Sequence, residues 1–269
     1  MLDQQTILSP ILRTHDLKAG YEGKTILNGV DLDVGKGEFV TLIGPNGCGK
    51  STLLKTMARI LTPTSGVAEL NGRAVHDTPT REIAKAMALL PQTPLTPDGL
   101  TVRELVAQGR FPHQTLWRQW TKADETAVHD AMEATDVLQF ADRPVTALSG
   151  GQRQRCWIAM TLAQDTDVIL LDEPTTYLDL KIQIDVMQLL SKIAAQGRTL
   201  VVVLHELNLA AAYADRVVMM REGAIVHQGH PAECITAVTL EDVFGLRARV
   251  VTDPDTGRPV CIPMTGPAA

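Results

Sequence analysis

The 269-residue sequence predicts an α/β fold. Three short apolar runs are typical of buried strands; they are Glu38–Ile43, Asp167–Pro174 and Thr199–Glu206. The stretches that follow the first two runs, 52–61 and 174–197, have apolar residues at helical spacing. This order of strand, loop and helix indicates a buried sheet with helices packed against it.

A phosphate-binding loop follows the first predicted strand. The segment GPNGCGKST fits the pattern G-x4-G-K-[ST] and stands between a strand and a helix, as that motif requires. Its backbone N–H groups can surround phosphates, Lys50 can neutralise the β and γ groups, and the Ser51 hydroxyl can ligate Mg²⁺. The predicted nucleotide contacts are Gly44, Pro45, Asn46, Gly47, Cys48, Gly49, Lys50, Ser51 and Thr52.

The other two strands end in side chains that can complete this site. A strand would deliver Asp172 to the sheet edge, where Mg²⁺ lies opposite Ser51, and Glu173 would orient or deprotonate the attacking water. His205, after the next strand, would contact the γ-phosphate. Taken alone, the two acids also fit a solvated turn, and the histidine fits a structural role. The phosphate loop earlier in the chain favours the catalytic interpretation.

A second phosphate-binding helix start is predicted about a hundred residues later, at LSGGQ. Ser149 is a good N-cap, and the two glycines after it leave backbone N–H groups uncovered. The following segment, QRQRCWIAMTLAQ, is compatible with a helix. One phosphate loop is sufficient for one nucleotide, so the second anion site requires an explanation.

Composition limits the classes of function. A net charge of -6 and a pI of about 5.6 argue against broad nucleic-acid binding, which needs a basic surface. The cysteines lie far apart without a CxxC pair, so reduced thiols are expected rather than disulfides or a zinc site. They are Cys48, Cys156, Cys234 and Cys261. Modification of the Cys48 thiol should block the nucleotide.

The sequence predicts neither a signal peptide nor a membrane span, and its histidine pair does not indicate a metal site. The N-terminus has no basic segment followed by an apolar core, so no signal peptide is expected. The apolar runs, such as Leu200–Leu204, are far shorter than the roughly 20 residues of a bilayer span. His227 and His230 are predicted to lie in a turn without a third ligand, as solvated side chains.

The chain is expected to form a single domain with inserted parts. Residues 1–91 and 159–220 are predicted to be the nucleotide-binding core, with short antiparallel strands near the N-terminus. Residues 92–158 are predicted to be a helical subdomain, and 221–269 a tail that ends in a hairpin. The helical prediction depends on a capping box, Thr101 to Glu104, and on the helix-like TKADETAVHDAMEA.

These motifs, in this order, resemble the nucleotide-binding subunit of an ABC transporter. LSGGQRQR resembles that family's signature, and its position between the two nucleotide motifs is specific. By the same resemblance, Tyr21 stacks on adenine, Gln92 is the Q-loop residue, Asp179 the D-loop residue and His205 the H-loop residue. The resemblance covers nearly the whole chain. It implies a P-loop NTPase (RecA-like) core, an antiparallel β subdomain and an inserted α-helical subdomain.

The resemblance also explains the second anion site. In this family two copies pair head to tail and enclose ATP and Mg²⁺ between them. One copy would supply Lys50 together with the metal ligands, which are Ser51, Gln92 and Asp172. The other would supply the signature residues Ser149, Gly150, Gly151 and Gln152. A single copy is therefore expected to be a poor ATPase.

Three stretches narrow the resemblance to one branch. GRFPHQTLWRQW, EPTTYLDLKIQIDVMQLL and DPDTGRPV resemble the ATPase of bacterial ferric-siderophore importers, most closely the enterobactin type, with haem and cobalamin importers as relatives. Two copies would then bind permease subunits at the cytoplasmic face of the inner membrane, supplied by a substrate-binding protein outside. The helical subdomain and Gln92 would form the groove for the permease. Trp117 and Trp120 would either contact it or pack in the core.

Alternatives from other classes share the catalytic motifs. An ABC ATPase that serves iron–sulfur cluster assembly or DNA repair has the same chemistry without transport. The acidic balance argues against DNA repair, and GRFPHQ against cluster assembly. A simple P-loop kinase would not need LSGGQ, and an exporter more often carries a fused membrane segment. Glu206 stands where Asp is common in the family, which preserves the charge.

Overall fold

The computed structural model describes residues 9–94, 99–115 and 120–264. The strands are β1 (Leu12–Tyr21), β2 (Lys24–Val34), β3 (Phe39–Ile43), β4 (Ser65–Leu70), β5 (Arg73–Ala74), β6 (Met87–Leu90), β7 (Val168–Asp172), β8 (Thr199–Val203), β9 (Arg216–Arg221), β10 (Ala224–Gly229), β11 (Ala248–Thr252) and β12 (Pro259–Pro263). The α-helices are α1 (Lys50–Met57), α2 (Thr80–Ala86), α3 (Val102–Ala107), α4 (Lys122–Ala134), α5 (Gly150–Ala163), α6 (Leu180–Ala195), α7 (Leu207–Tyr213), α8 (Pro231–Cys234) and α9 (Ala237–Phe244). Short 3-10 helices cover Gln108–His113, Leu138–Phe140 and Val145–Ala147.

A six-stranded sheet in the order β10-β9-β3-β8-β7-β6 forms the core. Neighbouring strands are parallel except β9 and β10, which are antiparallel. Every residue of β3, β7 and β8 is buried, as expected for parallel strands with helices on both faces. The three strands predicted from apolar runs are therefore confirmed, and their carboxyl ends share one edge of the sheet.

Two apolar clusters cover the faces of this sheet. Along β3, Phe39 and Ile43 belong to the cluster that contains α6 and α7, whereas Val40 and Leu42 face the cluster that contains α1. This alternation follows from the two-residue period of a strand. Each fully buried Leu or Val side chain contributes about 1.5–3 kcal/mol to the hydrophobic stabilisation.

A four-stranded antiparallel sheet in the order β2-β1-β4-β5 lies beside the core. The residues of β2 alternate between buried and exposed over its second half, so one face packs and the other meets solvent. The expectation of antiparallel strands near the N-terminus is confirmed. Tyr21 ends β1 and so stands at the rim of this sheet.

The described part of residues 92–158, which were predicted to be a helical subdomain, contains α3, α4 and the first part of α5. The capping box predicted at Thr101 and Glu104 is present, and α4 and α5 begin with capping boxes of their own. A buried ion pair joins Arg110 to Asp124, with 2.9 Å between Nε and Oδ1, and Arg110 Nη1 donates to the Ala163 carbonyl at 2.8 Å. These contacts fix the GRFPHQ segment between α4 and α5.

The C-terminal part differs from the prediction in two ways. The core sheet does not end at residue 220, because β10 lies beyond that boundary; as an edge strand it lacks the continuous apolar run that marks the central strands. His227 and His230 are not in a turn: His227 lies within β10 and His230 is the N-cap of α8. The predicted hairpin is confirmed as β11 and β12. No helix in the described ranges is long and apolar enough to cross a membrane.

Candidate nucleotide site

The phosphate loop joins β3 to α1 at the carboxyl edge of the core sheet. A cavity of about 200 Å³ opens above it. Its lining consists of Tyr21, Ile26, Asn46, Gly47, Gly49, Lys50, Ser51, Thr52 and Glu173. The loop start is closely packed, since a Cβ atom on Gly44 would lie 2.2 Å from the carbonyl oxygen of Met220. The loop and the adenine-side residue predicted at Tyr21 thus border the same cavity.

Lys50 is held by backbone groups of the loop itself. Its Nζ donates to the carbonyl oxygens of Gly44 at 2.8 Å and Pro45 at 3.0 Å, and the residue is 5% exposed. Among the described residues no carboxylate forms an ion pair with this ammonium group. The third recorded contact of Nζ is the Cys48 sulfur at 3.8 Å. A buried cation whose contacts are carbonyl oxygens and a thiol attracts an anion such as a phosphate.

Ser51 and Asp172 meet at the floor of the site. The Ser51 hydroxyl donates to Asp172 Oδ1 at 2.8 Å, and Asp172 is 2% exposed. Burial raises the pKa of Asp172, the Ser51 hydrogen bond opposes this, and the neighbouring Glu173 carboxylate raises the pKa further. Hydroxyl and carboxylate oxygens are donors that Mg²⁺ prefers, and a buried carboxylate gains from a cation beside it. The two residues therefore fit a magnesium site.

Glu173 contacts side chains from two distant segments and one from its own turn. Its Oε2 accepts from Gln92 Nε2 at 2.5 Å and from Thr176 Oγ1 at 3.1 Å, and its Oε1 lies 2.6 Å from His205 Nε2. The residue has a φ of 52°, an uncommon conformation for a glutamate. Three of the predicted catalytic residues are thus brought together within hydrogen-bonding distance.

Asp179 and the signature segment lie at helix starts outside this cavity. Asp179 caps α6 by accepting from the Ile182 N–H at 3.0 Å. Ser149 caps α5, and both Ser149 and Gly150 are exposed. Gly151 packs so closely on α6 that a Cβ atom would lie 2.7 Å from Ile182 Cγ2. The two helix starts therefore form one surface, and within the described residues the signature segment adds nothing to the lining of the cavity.

Some residues of the site were not predicted. Thr176 donates to Glu173 from three residues along the chain, a local contact that the sequence could have suggested. Ile26 lines the cavity from β2 without any sequence signal. Glu206 accepts from Thr175 Oγ1 at 3.2 Å and from Gln183 Nε2 at 3.3 Å, so it links the segment after His205 to α6.

A larger cavity of about 630 Å³ lies away from the phosphate loop. Its arginines already hold partners, since Arg13 pairs with Asp33 and Arg216 with Glu38, each at 2.6 Å. It therefore offers less free charge to a phosphate than the loop does. Trp117, one of the two tryptophans expected either to contact a permease or to pack in the core, lies outside the described residues.

Comparisons with known proteins show the family of the chain. The ABC transporter family profile matches residues 27–176. The chain is similar to the petrobactin import ATP-binding protein FpuD of Bacillus anthracis, with 51% identity over 94% of this chain and 93% of that protein. It is 48% identical to the ferric enterobactin transport ATP-binding protein FepC of Escherichia coli (strain K12), over 94% of this chain and 94% of that protein. It is 41% identical to the hemin import ATP-binding protein HmuV of Rhodococcus jostii (strain RHA1), over 94% of this chain and 86% of that protein.

Solved structures share the fold. A chain from an inward-facing ABC transporter assigned to the metal-chelate type has a TM-score of 0.83 and 27% identity, covering 96% of this chain and 98% of that chain. The dimeric bacterial ABC transporter cassette MJ0796 has a TM-score of 0.71 and 28% identity, covering 81% of this chain and 98% of that chain. On its motifs, its fold and these similarities, the chain belongs to the ABC transporter family, as an ABC ATPase of the ATP-binding subunit type.

Proposed function

We propose that this chain is the ATP-hydrolysing subunit of a bacterial ferric-siderophore importer. The observation that carries the proposal is the group of relatives that share 48–51% with the chain, which are named for petrobactin, siderophore, iron(3+)-hydroxamate, achromobactin or enterobactin transport. The hemin relative shares 41%, as does a second petrobactin import protein, FpuC. The petrobactin and enterobactin relatives are named for different siderophores, and yet their identities to this chain are similar. The proposal therefore names ferric siderophores as a class.

In the proposed chemistry, each predicted residue of the site has one task. Ser51, Asp172 and Gln92 would hold Mg²⁺, which neutralises charge on the phosphates when bound. Glu173 would orient the attacking water and accept its proton, and His205 would contact the γ-phosphate. The short contacts of Glu173 with Gln92 and His205 support these roles, because any rearrangement at one residue moves the others.

We propose that two copies enclose the nucleotide. The phosphate loop of one copy would bind the phosphates, and the α5 start of the other would contact the γ-phosphate through N–H groups and the helix dipole. Exposed apolar side chains beside the α5 start support this pairing: Tyr177 is 96% exposed and Leu180 is also exposed. Hydrolysis would remove the shared contact and allow the copies to separate.

A membrane permease is the proposed partner of each pair, with a substrate-binding protein delivering the siderophore from outside. The helical subdomain and Gln92 would receive the permease at the cytoplasmic face of the inner membrane. Phe111, which is 64% exposed within the otherwise fixed GRFPHQ segment, supports this surface. Trp120 is also exposed, with its Nε1 donating to Glu125 at 2.9 Å, so it is a second candidate contact.

The first test is the identity of the partner. The chain is purified from detergent-solubilised membranes of its host, and the proteins that accompany it are identified. A polytopic permease is expected. Uptake of a radiolabelled ferric siderophore is then compared between the unaltered chain and Lys50→Ala, which is expected to abolish it. Exclusively soluble partners would contradict transport, and Lys50-dependent uptake of haem but not of siderophores would contradict the substrate.

A further inference from the structure

Three hairpins in the structure have two-residue turns of the same conformation, with positive φ at both positions, as type I′ turns require. The turns are Glu22–Gly23, Asn71–Gly72 and Glu222–Gly223. Their surroundings differ. A Cβ atom on Gly72 would meet nothing within 4 Å, whereas one on Gly223 would lie 2.0 Å from the carbonyl oxygen of Ile26. The third turn, which we call the bracing turn, is therefore packed against another part of the chain.

One contact of the bracing turn reaches the phosphate loop. The N–H of Gly223 donates to the carbonyl oxygen of Cys48 at 3.0 Å. In a planar trans peptide the carbonyl and the following N–H point in opposite directions. The bond to Cys48 therefore turns the N–H of Gly49 away from the bracing turn, and Gly49 lines the nucleotide cavity.

A second set of contacts ties the same turn to β2. The backbone N–H of Asn28 donates to the Gly223 carbonyl at 2.9 Å, and Asn28 Nδ2 donates to the Glu222 carbonyl at 2.9 Å. Two residues earlier on β2, Ile26 lines the nucleotide cavity near Tyr21. The bracing turn thus bridges the strand that carries part of the cavity wall and the loop that carries the phosphate contacts.

We propose that Asn28 and the bracing turn are positioning elements for ATP. They set the orientation of the Cys48–Gly49 peptide and the separation between the phosphate loop and the wall at Ile26. A site that binds phosphates through backbone N–H groups depends on how those groups are held before the ligand arrives. Loss of the contacts of Asn28 and the bracing turn weakens nucleotide binding without removing any group that touches the nucleotide. This inference rests on the proposed role of the loop in binding ATP.

The test compares three variants of the full chain. Gly223→Ala forces the turn away from Ile26, and Asn28→Ala removes only the side-chain bond to Glu222. Gly72→Ala is the matched control, because it makes the same change in the same turn conformation, with φ of 71° against 81°, but in open space. Each protein is measured for ATP affinity with a fluorescent ATP analogue, for kcat and KM of hydrolysis, and for thermal stability.

ATP affinity is expected to fall about tenfold in Gly223→Ala and about threefold to fivefold in Asn28→Ala, with kcat at saturating ATP within about twofold. Gly72→Ala is expected to lower thermal stability and keep its ATP affinity. If Gly223→Ala does not fold, Asn28→Ala decides alone. Unchanged ATP affinity in Asn28→Ala, with a stability loss like that of the control, would overturn the assignment. Failure of the unaltered chain to bind ATP would overturn the proposed function as well.

Discussion

Two helix starts in this molecule can bind an anion, and they are built differently. The α1 helix begins after Gly49, which has a φ of 108° and provides no side-chain cap, so its first N–H groups stay available. The α5 helix begins at Ser149, whose hydroxyl accepts from the Gln152 N–H while the Gln152 side chain accepts from the Ser149 N–H. The first start is buried beside Lys50, and the second lies on an exposed surface.

This difference indicates that the α1 start belongs to a phosphate site with several kinds of contact within one chain, whereas the α5 start supplies only part of such a site. Around α1 the chain supplies a lysine, a hydroxyl and a buried carboxylate within one cavity. Around α5 it supplies a helix start, where Arg153 Nη2 donates to the Leu148 carbonyl at 3.2 Å, with exposed apolar side chains at its edge. A ligand bound at the first start of one copy can use the second start of another. The following changes test that division, from the largest expected effect to the smallest.

Glu173→Gln is expected to reduce ATP hydrolysis by roughly 10²-fold or more, because an amide of the same shape cannot accept a proton from water. ATP binding should persist, and the variant should accumulate as a dimer with ATP. Turnover and mass by light scattering measure the two effects. Lys50→Ala serves as the control that loses ATP binding itself. Unchanged turnover in Glu173→Gln would remove it from the role of base.

Ser149→Arg is expected to block pairing, because a large side chain at a closely packed surface costs about 2 kcal/mol, or roughly 30-fold in association. Nucleotide affinity of the single chain should stay within about twofold. The measurement is the ATP-dependent dimer fraction of a chain that carries both Ser149→Arg and Glu173→Gln, compared with Glu173→Gln alone. Loss of ATP affinity would contradict the division between the two helix starts.

Tyr177→Gly is expected to weaken the ATP-bound dimer about tenfold, since it removes an aromatic ring from the surface beside α5. Tyr177 has a φ of 63°, which glycine adopts more easily, so the single chain should be no less stable. Val238→Ala, at an exposed apolar position on α9, is the control. A dimer of unchanged affinity would place Tyr177 outside the interface.

Asp172→Asn is expected to stabilise the nucleotide-free chain and to abolish magnesium-dependent hydrolysis. Burial raises the pKa of Asp172, so its ionised form costs stability when the pH is above that raised pKa. The gain should therefore disappear as the pH falls below about 3.9, the pKa of unfolded aspartate. Denaturant titrations across pH measure it, with exposed Asp179→Asn as the control. If Asp172→Asn instead lowered the stability at neutral pH, favourable contacts of the ionised Asp172 carboxylate would outweigh the cost of burying it.

Local chemistry could be predicted from the sequence because each feature depends on near neighbours. A capping box needs residues three apart, which is why the helix starts at Thr101 and Ser149 were both predictable. The phosphate loop is one contiguous segment, and three central strands are continuous apolar runs. The edge strand β10 was missed because it lacks such a continuous apolar run; an edge strand need not be apolar on both faces.

Only the tertiary structure decided which distant groups touch. Gln92 and Glu173 are 81 residues apart and share a hydrogen bond, while Asn28 and Glu222 are 194 residues apart and join the bracing turn to β2. No spacing in the sequence encodes such contacts, because they result from the order of the strands in the sheets. The sequence by itself determined the phosphate loop, the signature helix start and the α/β alternation. The sheet topology determined how those parts face one another, since side chains from separate strands meet only after the strands have paired.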